Sequence, residues 1–520
     1  MSHIIMIAAE NDALPGGKVG GIGDVVRDVP RALVERGCTV TVLTPAYGVF
    51  AALPGSQKIT SLGVRFGGFR ESLDLYEVPA SHPVSGIRHL VLDHPLFATC
   101  GKGSIYCNDP PGRPFATDAG KFALFCIAAA EAIIKANLGK IDVLHLHDWH
   151  AAFLLILRRY DPVYKALKSI RSVYTIHNLA LQGIRPFSDD DSSLQKWYPK
   201  LKYRRAALAD PRWTDCINPM AIGIRLADAV HTVSPTYAKE ILSPSEVDTL
   251  GQYGGEGLED DLRTAQADNR LFGILNGCEY PKKHKPVLTS WRALLDLMRA
   301  QVMLMAANSS ALSSALFIAD KRLGELNSKR PKDLLTSVGR ITEQKVRLLR
   351  QDTSTGRPAL EGILEALGEH GLLIMVGSGN QDYELFLTET AAKYCNFIFL
   401  RGYSDELVTA LYDMGDLFLM PSSFEPCGIS QMLAMRSGQP CLVHHVGGLR
   451  DTIQDNINGF AFTGQNPTEQ ADNLVATVQR ALIAKRKPKK WQTLRKRAAA
   501  MRFRWTDSID AYLKQLYRQS

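Results

Sequence analysis

The chain has 520 residues, 45% hydrophobic and 22% charged, an apolar content that supports sizeable cores and excludes global disorder. At roughly 100–200 residues per domain, this length predicts two large lobes rather than one core. The net charge of +8 is local, because ten Lys or Arg and no acid fall between Lys485 and Arg504; the run reads either as an anionic-surface patch interleaved with Trp491 and Trp505 or, lacking any recognition motif, as the solvated face of a helix, and no nucleic-acid partner is expected.

The start, MSHIIMIAAEND, has no basic segment followed by a long apolar stretch and a small-residue cleavage site, so it reads as a first strand and the expected location is cytoplasmic. His3 to Ala9 predicts that strand, a glycine-rich turn follows, and Asp24 to Arg36 places Val26, Val29 and Leu33 at helical spacing before Gly37. Pro30 predicts a kink near the first turn. Thr39 to Pro45 completes a βαβ unit with a glycine-rich loop at its turn.

Nine cysteines, Cys38, Cys100, Cys107, Cys126, Cys216, Cys278, Cys395, Cys427 and Cys441, show neither CxxC pairs nor the density of a disulfide scaffold, and are expected as reduced thiols. His145, His147, Asp148 and His150 imitate a metal cluster, but the aspartate stands one place too early for an HxHxDH pattern and a binuclear site needs further ligands. Asp189, Asp190 and Asp191, flanked by Ser188, Ser192 and Ser193, are open to a metal-motif reading, though the serines favour a solvated loop. No metal is expected.

Ala300 to Ala319 is uncharged and about 20 residues long, enough to span a bilayer. It includes Gln301, Asn308 and four serines, so a buried or crossing helix fits better and no membrane partner is expected. Beyond it, apolar runs at Leu372 to Gly377, Phe397 to Gly402, Leu417 to Pro421 and Cys441 to Val446 alternate with helical stretches, which predicts a parallel sheet covered on both faces. The glycines of Val376 to Gly379 either end a strand or approach a nucleotide. The last stretch, Phe503 to Gln519, has Ile509, Leu513 and Leu516 at helical spacing.

The two halves repeat one motif. VGGIGD (Val19 to Asp24) and VGGLRD (Val446 to Asp451) both set paired glycines before an apolar residue, a variable position and an aspartate. Such a turn opening a helix points free N–H groups outward and suits an anion or a sugar. Two loops of this kind, each at the C-terminal edge of its own sheet, would face each other across a cleft.

KVGGIGDV (Lys18 to Val25), IYCNDPPGRPF (Ile105 to Phe115), HLHDWHAA (His145 to Ala152), TIHNLALQG (Thr175 to Gly183), ADAVHTVSPTYAKEI (Ala227 to Ile241), GILNG (Gly273 to Gly277), GRITEQK (Gly339 to Lys345), PSSFEPCGISQ (Pro421 to Gln431) and HVGGLRDT (His445 to Thr452) stand in this order. The chain resembles, nearly end to end, the bacterial glycogen synthases and plant starch synthases. The resemblance implies an α/β chain of two Rossmann-like doubly wound domains facing across a cleft, the GT-B fold. It also implies retaining glucosyl transfer from ADP-glucose, with no cofactor, to an α-1,4-glucan such as glycogen. Its domains would be an acceptor-side lobe at 1–277, a connection at 278–330, a nucleotide-sugar lobe at 331–500, and a helix at 501–520 returning to the first lobe.

The family's catalytic residues fall on Lys18, His177, Arg340, Lys345 and Glu425. Donor contacts fall on Lys18, Gly20, Gly21, Arg340, Lys345, Cys427, Gly428, Gly447 and Gly448, and Asp24, Asp148, Asn178 and Asn276 are further substrate candidates. The chemistry agrees: without a metal, a departing nucleoside diphosphate needs fixed cations such as Arg340 and Lys345, and a carboxylate such as Glu425 suits a cationic sugar. Many retaining GT-B enzymes carry a second glutamate eight residues after the first, and here that position is Leu433.

Three departures stand out. Val19 and Val446 replace the usual threonines before the glycine pairs, removing a hydroxyl worth about 0.5–1.5 kcal/mol where it bonds a ligand. After GILNG the chain runs Cys278, Glu279, Tyr280 and PKKHKP in place of an aspartate and a Trp-containing stretch. Alternative readings are a GT-B transferase or phosphorylase making a smaller glucoside, and a non-catalytic protein that binds glycan or nucleotide sugar.

Overall fold

The computed structural model describes residues 2–281, 286–307, 313–326 and 329–518. It divides into two compact units, one formed by Met1–Pro244, Gly254–Gly277 and Trp505–Ser520, the other by Ser245–Tyr253 and Cys278–Arg504.

The first unit is built on strands β1 (His3–Ile7), β2 (Thr39–Pro45), β3 (Gln57–Phe66), β4 (Phe69–Val78), β5 (Ile87–Asp93), β6 (Val143–His147), β7 (Arg171–Ile176), β8 (Ala229–Thr232) and β9 (Leu271–Gly273). They form a nine-stranded sheet ordered β9-β8-β7-β6-β1-β2-β5-β4-β3. The sheet is parallel from β9 to β5, and at its edge β4 runs antiparallel to both of its neighbours, β5 and β3. Ile4 to Ile7 are fully buried on both faces, as expected of a central parallel strand. One face packs on the long helix Ala116–Lys135 and the helix Asp148–Tyr160, the other on the helix Gly21–Glu35. That helix begins three residues before the expected Asp24, and Pro30 lies buried in its interior with the helix continuing past it.

The second unit carries β10 (Asp333–Val338), β11 (Gly371–Gly377), β12 (Phe397–Arg401), β13 (Leu417–Met420), β14 (Cys441–His444) and β15 (Gly459–Phe462). Their order is β12-β11-β10-β13-β14-β15, every pair parallel. This is the 3-2-1-4-5-6 order of a doubly wound sheet, whose strand order reverses between β10 and β13. The expected long helix around Ala300 to Ala319 is two helices, Trp291–Ala307 and Ser314–Glu325. Both pack into this unit's core through Leu294, Met298, Leu316 and Leu323; residues 308–312 and most of the lysine-rich PKKHKP stretch lie outside the described residues.

The basic run occupies the end of one helix and the next, Pro488–Ala500. There Trp491, Leu494 and Ala498 are buried, while Lys489, Lys490, Lys496 and Arg497 are exposed. Among the described residues no helix is long and apolar enough to cross a membrane.

Two sequence expectations are corrected. Cys100 and Cys107 are not free thiols but form a disulfide, seven residues apart in the loop between β5 and the helix Ala116–Lys135. The single C-terminal helix is instead an α-helix, Trp505–Ala511, followed by a π-helical turn, Tyr512–Leu516. The turn widens there so that Tyr512 and Tyr517, five residues apart, both reach the core.

Candidate active site

In open parallel sheets ligands gather beyond the C-terminal strand ends where strand order reverses. In the first unit that point lies between β1 and β6, and both are followed by sequence-predicted site residues. After β1 the chain passes Glu10, which is 2% exposed, and reaches the glycine loop. The Oε2 of Glu10 accepts N–H groups from Val19 at 2.8 Å, Gly20 at 2.7 Å and Gly23 at 3.3 Å, and its Oε1 accepts the Tyr106 hydroxyl at 2.8 Å.

The Gly20 amide is therefore already engaged by an internal anion. Gly21 opens the helix, so its N–H lacks an intrahelical acceptor. Lys18 is exposed and pairs with Asp24 at 2.6 Å; burial pushes the Asp24 carboxyl up against the opposing pull of Lys18. Asp24 also approaches Arg27 at 3.4 Å. Glu10 was not among the sequence candidates, and its only trace there is an acid placed directly after an apolar strand.

After β6, Asp148 begins a helix with a positive φ of 53°. Its Oδ1 accepts the His177 N–H at 2.7 Å, and the backbone of Asn178 also donates to the carboxylate. Burial nevertheless pushes the Asp148 carboxyl up to about 8. His147 Nδ1 lies 3.0 Å from His177 Nε2, and burial holds both imidazoles well below the usual histidine range, hence neutral. The Asn178 side chain accepts from Ala180 at 3.0 Å. Asn276 is 4% exposed, its N–H bonded to Val233, and its Oδ1 has no partner among the described residues.

His145 is not placed as a ligand, because its two ring nitrogens meet Tyr517 at 2.8 Å and Thr175 at 2.6 Å. Among the described residues no group of three or more His, Cys, Asp or Glu is arranged to hold a metal ion. Of the acidic run, Asp190 is tied to Arg113, Arg185 and Ser192 and orders its own loop.

In the second unit the reversal between β10 and β13 brings together Arg340, Lys345 and Glu425. Arg340 follows β10 directly, is exposed and makes no ion pair among the described residues. Lys345 sits in the first turn of the helix Glu343–Arg350, and its Nζ pairs with Glu425 Oε2. Glu425 is 6% exposed and also accepts the Ser422 hydroxyl at 3.0 Å, so its negative charge is compensated from two directions. A small pocket beside the pair is lined by Gly339, Arg340, Lys345, Met375, Met420 and Ser422.

The second glycine loop packs against the Glu425 turn, the Gly448 N–H donating to the Glu425 carbonyl at 3.0 Å. A Cβ at Gly448 would stand 2.3 Å from the Cys427 carbonyl oxygen, which explains the glycine by close backbone approach. Gly428 and Gly447 both have positive φ, 77° and 45°. Cys427 is buried beside them. For Val376 to Gly379, Gly377 ends β11 and the Gly379 N–H goes to Glu384 at 2.7 Å.

Residues 3–264 match the family model described as "Starch synthase catalytic domain", and residues 324–493 match "Glycosyl transferases group 1". The glycogen synthase of Gloeobacter violaceus is 33% identical, over 98% of this chain and 97% of that protein. The chain belongs to the glycogen synthase family. The glycogen synthase of Streptococcus equi subsp. equi is 32% identical over 99% of each chain. The catalytic domain of starch synthase IV from Arabidopsis thaliana, solved with ADP and acarbose, covers 99% of each chain at a TM-score of 0.74 and 26% identity. A sucrose-phosphate synthase from Thermosynechococcus elongatus shares the fold, with a TM-score of 0.53 at 18% identity.

Like the other glycogen synthases, this chain is therefore a glycosyltransferase of GT-B fold that elongates a glucan by adding glucose. Both departures from the family's glycine loops keep their backbone function. Val19 is 44% exposed and supplies its N–H to Glu10, while Val446 takes the extended backbone that precedes the short helix Gly447–Thr452.

Proposed function

We propose that the enzyme transfers glucose from ADP-glucose to an α-1,4-glucan with retention of configuration and without a metal ion. The observation that carries this reading is the pair of Lys345 with the buried Glu425, in a pocket shared with Arg340, which makes no ion pair among the described residues, at the strand-order reversal of the second sheet. As the glucosyl bond breaks, charge builds on the diphosphate; Arg340 and Lys345 neutralise it, doing with fixed cations what a metal does elsewhere. The Glu425 carboxylate, paired with Lys345, faces the positive charge that develops on the sugar.

In the first unit, Lys18 is a cation available to an anionic group of a substrate. Its pair with Asp24 lies near the surface and is worth only about 0–1 kcal/mol, so Lys18 can exchange one anion for the other. The Gly21 N–H adds a dipole. His177, neutral and braced by His147, orients the glucose hydroxyls, and Asp148 fixes the His177 backbone. Asn178 and Asn276 lie on the same sheet edge as further polar contacts. Cys427, Gly428, Gly447 and Gly448 shape the backbone around Glu425 for the donor. The Arabidopsis enzyme solved with ADP and acarbose supports ADP as the leaving group and a glucan as acceptor. The enzyme is expected to work in the cytoplasm.

The test incubates purified protein and chelator with glycogen and either ADP-glucose or UDP-glucose. Nucleoside diphosphate release is measured beside glucose incorporation. Matched release and incorporation with ADP-glucose is the expected result. Incorporation only from UDP-glucose, or only after a divalent ion is restored, sinks the corresponding part of the reading.

A further inference from the structure

We propose that Trp213 is a binding platform for an α-glucan chain, in addition to the groups that act on the reacting sugar. The inference rests on the glucan acceptor, and its evidence is the way this loop is built. Trp213 is 52% exposed, in the turn between the short helix Arg205–Leu208 and Cys216–Ile217. An exposed indole is unremarkable by itself. What sets this one apart is that a buried polar network holds it in place.

The Arg212 guanidinium stacks on the indole, 4.5 Å from the ring centroid. That guanidinium is fixed at three nitrogens: it donates to the Glu256 carbonyl at 2.6 Å, to Gln182 Oε1 at 2.6 Å, and to both oxygens of Asp210 at 3.2 and 3.0 Å. Asp210 is fully buried. It also accepts the backbone N–H groups of Arg212 and Trp213, at 2.7 and 3.1 Å, and the Asn218 amide at 2.7 Å. The backbone makes room as well, since a Cβ at Gly257, whose φ is 82°, would stand 2.5 Å from Arg212 Cδ.

The indole thus rests on an anchored cation, and about half of the residue stays exposed. A ring held flat and half in water has paid its ordering entropy before any ligand arrives, the property that makes aromatic anchors effective in recognition. The stacked cation adds a favourable contact with the ring face, leaving the opposite face for the C–H face of a pyranose ring. Polar neighbours on the same turn, Thr214 and Asp215, are exposed and suit sugar hydroxyls. Gln182, which holds Arg212, also donates to the Leu179 carbonyl at 3.1 Å, linking the platform to the loop after His177. The enzyme's own polymer is the ligand that combines apolar ring faces with dense hydroxyls.

The test compares wild type, Trp213→Ala and Trp213→Phe. Binding to glycogen is read by migration in native gels containing glycogen, and transfer is assayed with glycogen and with a short malto-oligosaccharide. Trp213→Ala is expected to weaken gel retention and raise half-saturating glycogen about tenfold, Trp213→Phe to lie between, and transfer to the short acceptor to stay unchanged. Equal retention of all three proteins overturns the proposal. So does an equal loss on both acceptors, which would make the ring part of the reaction site. A wild type retained by glycogen but inactive on either acceptor refutes the ADP-glucose reading instead, and the gel comparison still decides the platform.

Discussion

Replacing Glu10 by glutamine is expected to loosen the first glycine loop without removing any apolar contact. In the structure one carboxylate oxygen gathers three amide N–H groups, two of them within 2.8 Å, and the other accepts the Tyr106 hydroxyl. Glutamine keeps one oxygen for the loop and can donate its amide to the tyrosine oxygen. The loop bonds then change from charge-assisted to neutral, a loss of about 1 kcal/mol each, or roughly 2–3 kcal/mol in all when the long third bond is discounted. For a domain of this size that corresponds to a lowering of the first unit's calorimetric transition by about 4–8 °C. The half-saturating donor concentration should rise, because Lys18 and Gly21 belong to the same loop. A transition within about 1 °C of wild type would refute the view that this buried anion organises the loop.

Glu425→Gln is expected to lower transfer by about 10²–10³-fold with donor binding retained, whereas Lys345→Met, which strands a buried carboxylate, should also lower the melting temperature; isothermal titration and calorimetry separate the two. Because burial pushes the Asp148 carboxyl up to about 8, the folded chain holds a proton that the unfolded chain releases near pH 4. Wild type then loses stability as pH rises from about 4 to about 8. Asp148→Asn removes that slope, so melts at pH 5 and pH 8 should show the variant gaining on wild type by up to about 1.4 kcal/mol per pH unit, and a constant difference would refute the shift. Opening the Cys100–Cys107 disulfide, which spans seven residues, should cost roughly 2.5 kcal/mol from loop entropy, and identical melting of Cys100→Ser and wild type would show that the bond contributes nothing.

The strands and the glycine turns were legible because apolar runs and paired glycines are local signals: Thr39–Pro45 has the expected bounds and β11 to β14 fall within two residues of theirs. The reversal between β10 and β13 was not, since strand order is a long-range pairing that no local pattern encodes. Arg340, Lys345 and Glu425 were visible as members of motifs, and the structure brings the last two into contact over 80 residues. Glu10 was missed because its partners are backbone amides, which leave no mark on side-chain identity. The disulfide was missed because cysteines seven apart in a scattered set have no signature, and the π turn because Ile509, Leu513 and Leu516 read equally well as a continuous α-helix.

The division of the chain among the units constrains how it can be made. The face of the first sheet that carries Ile4, Met6 and Val40 is closed by Trp505, Ile509, Tyr512 and Leu516, with the Trp505 indole donating to Asp28 and the Tyr517 hydroxyl meeting His145. Those partners are separated by some 370 to 480 residues of chain. During synthesis the first strands therefore emerge long before the segment that covers them, and the second unit, contiguous apart from Ser245–Tyr253, can finish in the interval. The unit that begins first is completed last, so a fragment ending near Gly277 should expose an apolar sheet face and depend on chaperones or added C-terminal peptide to stay in solution.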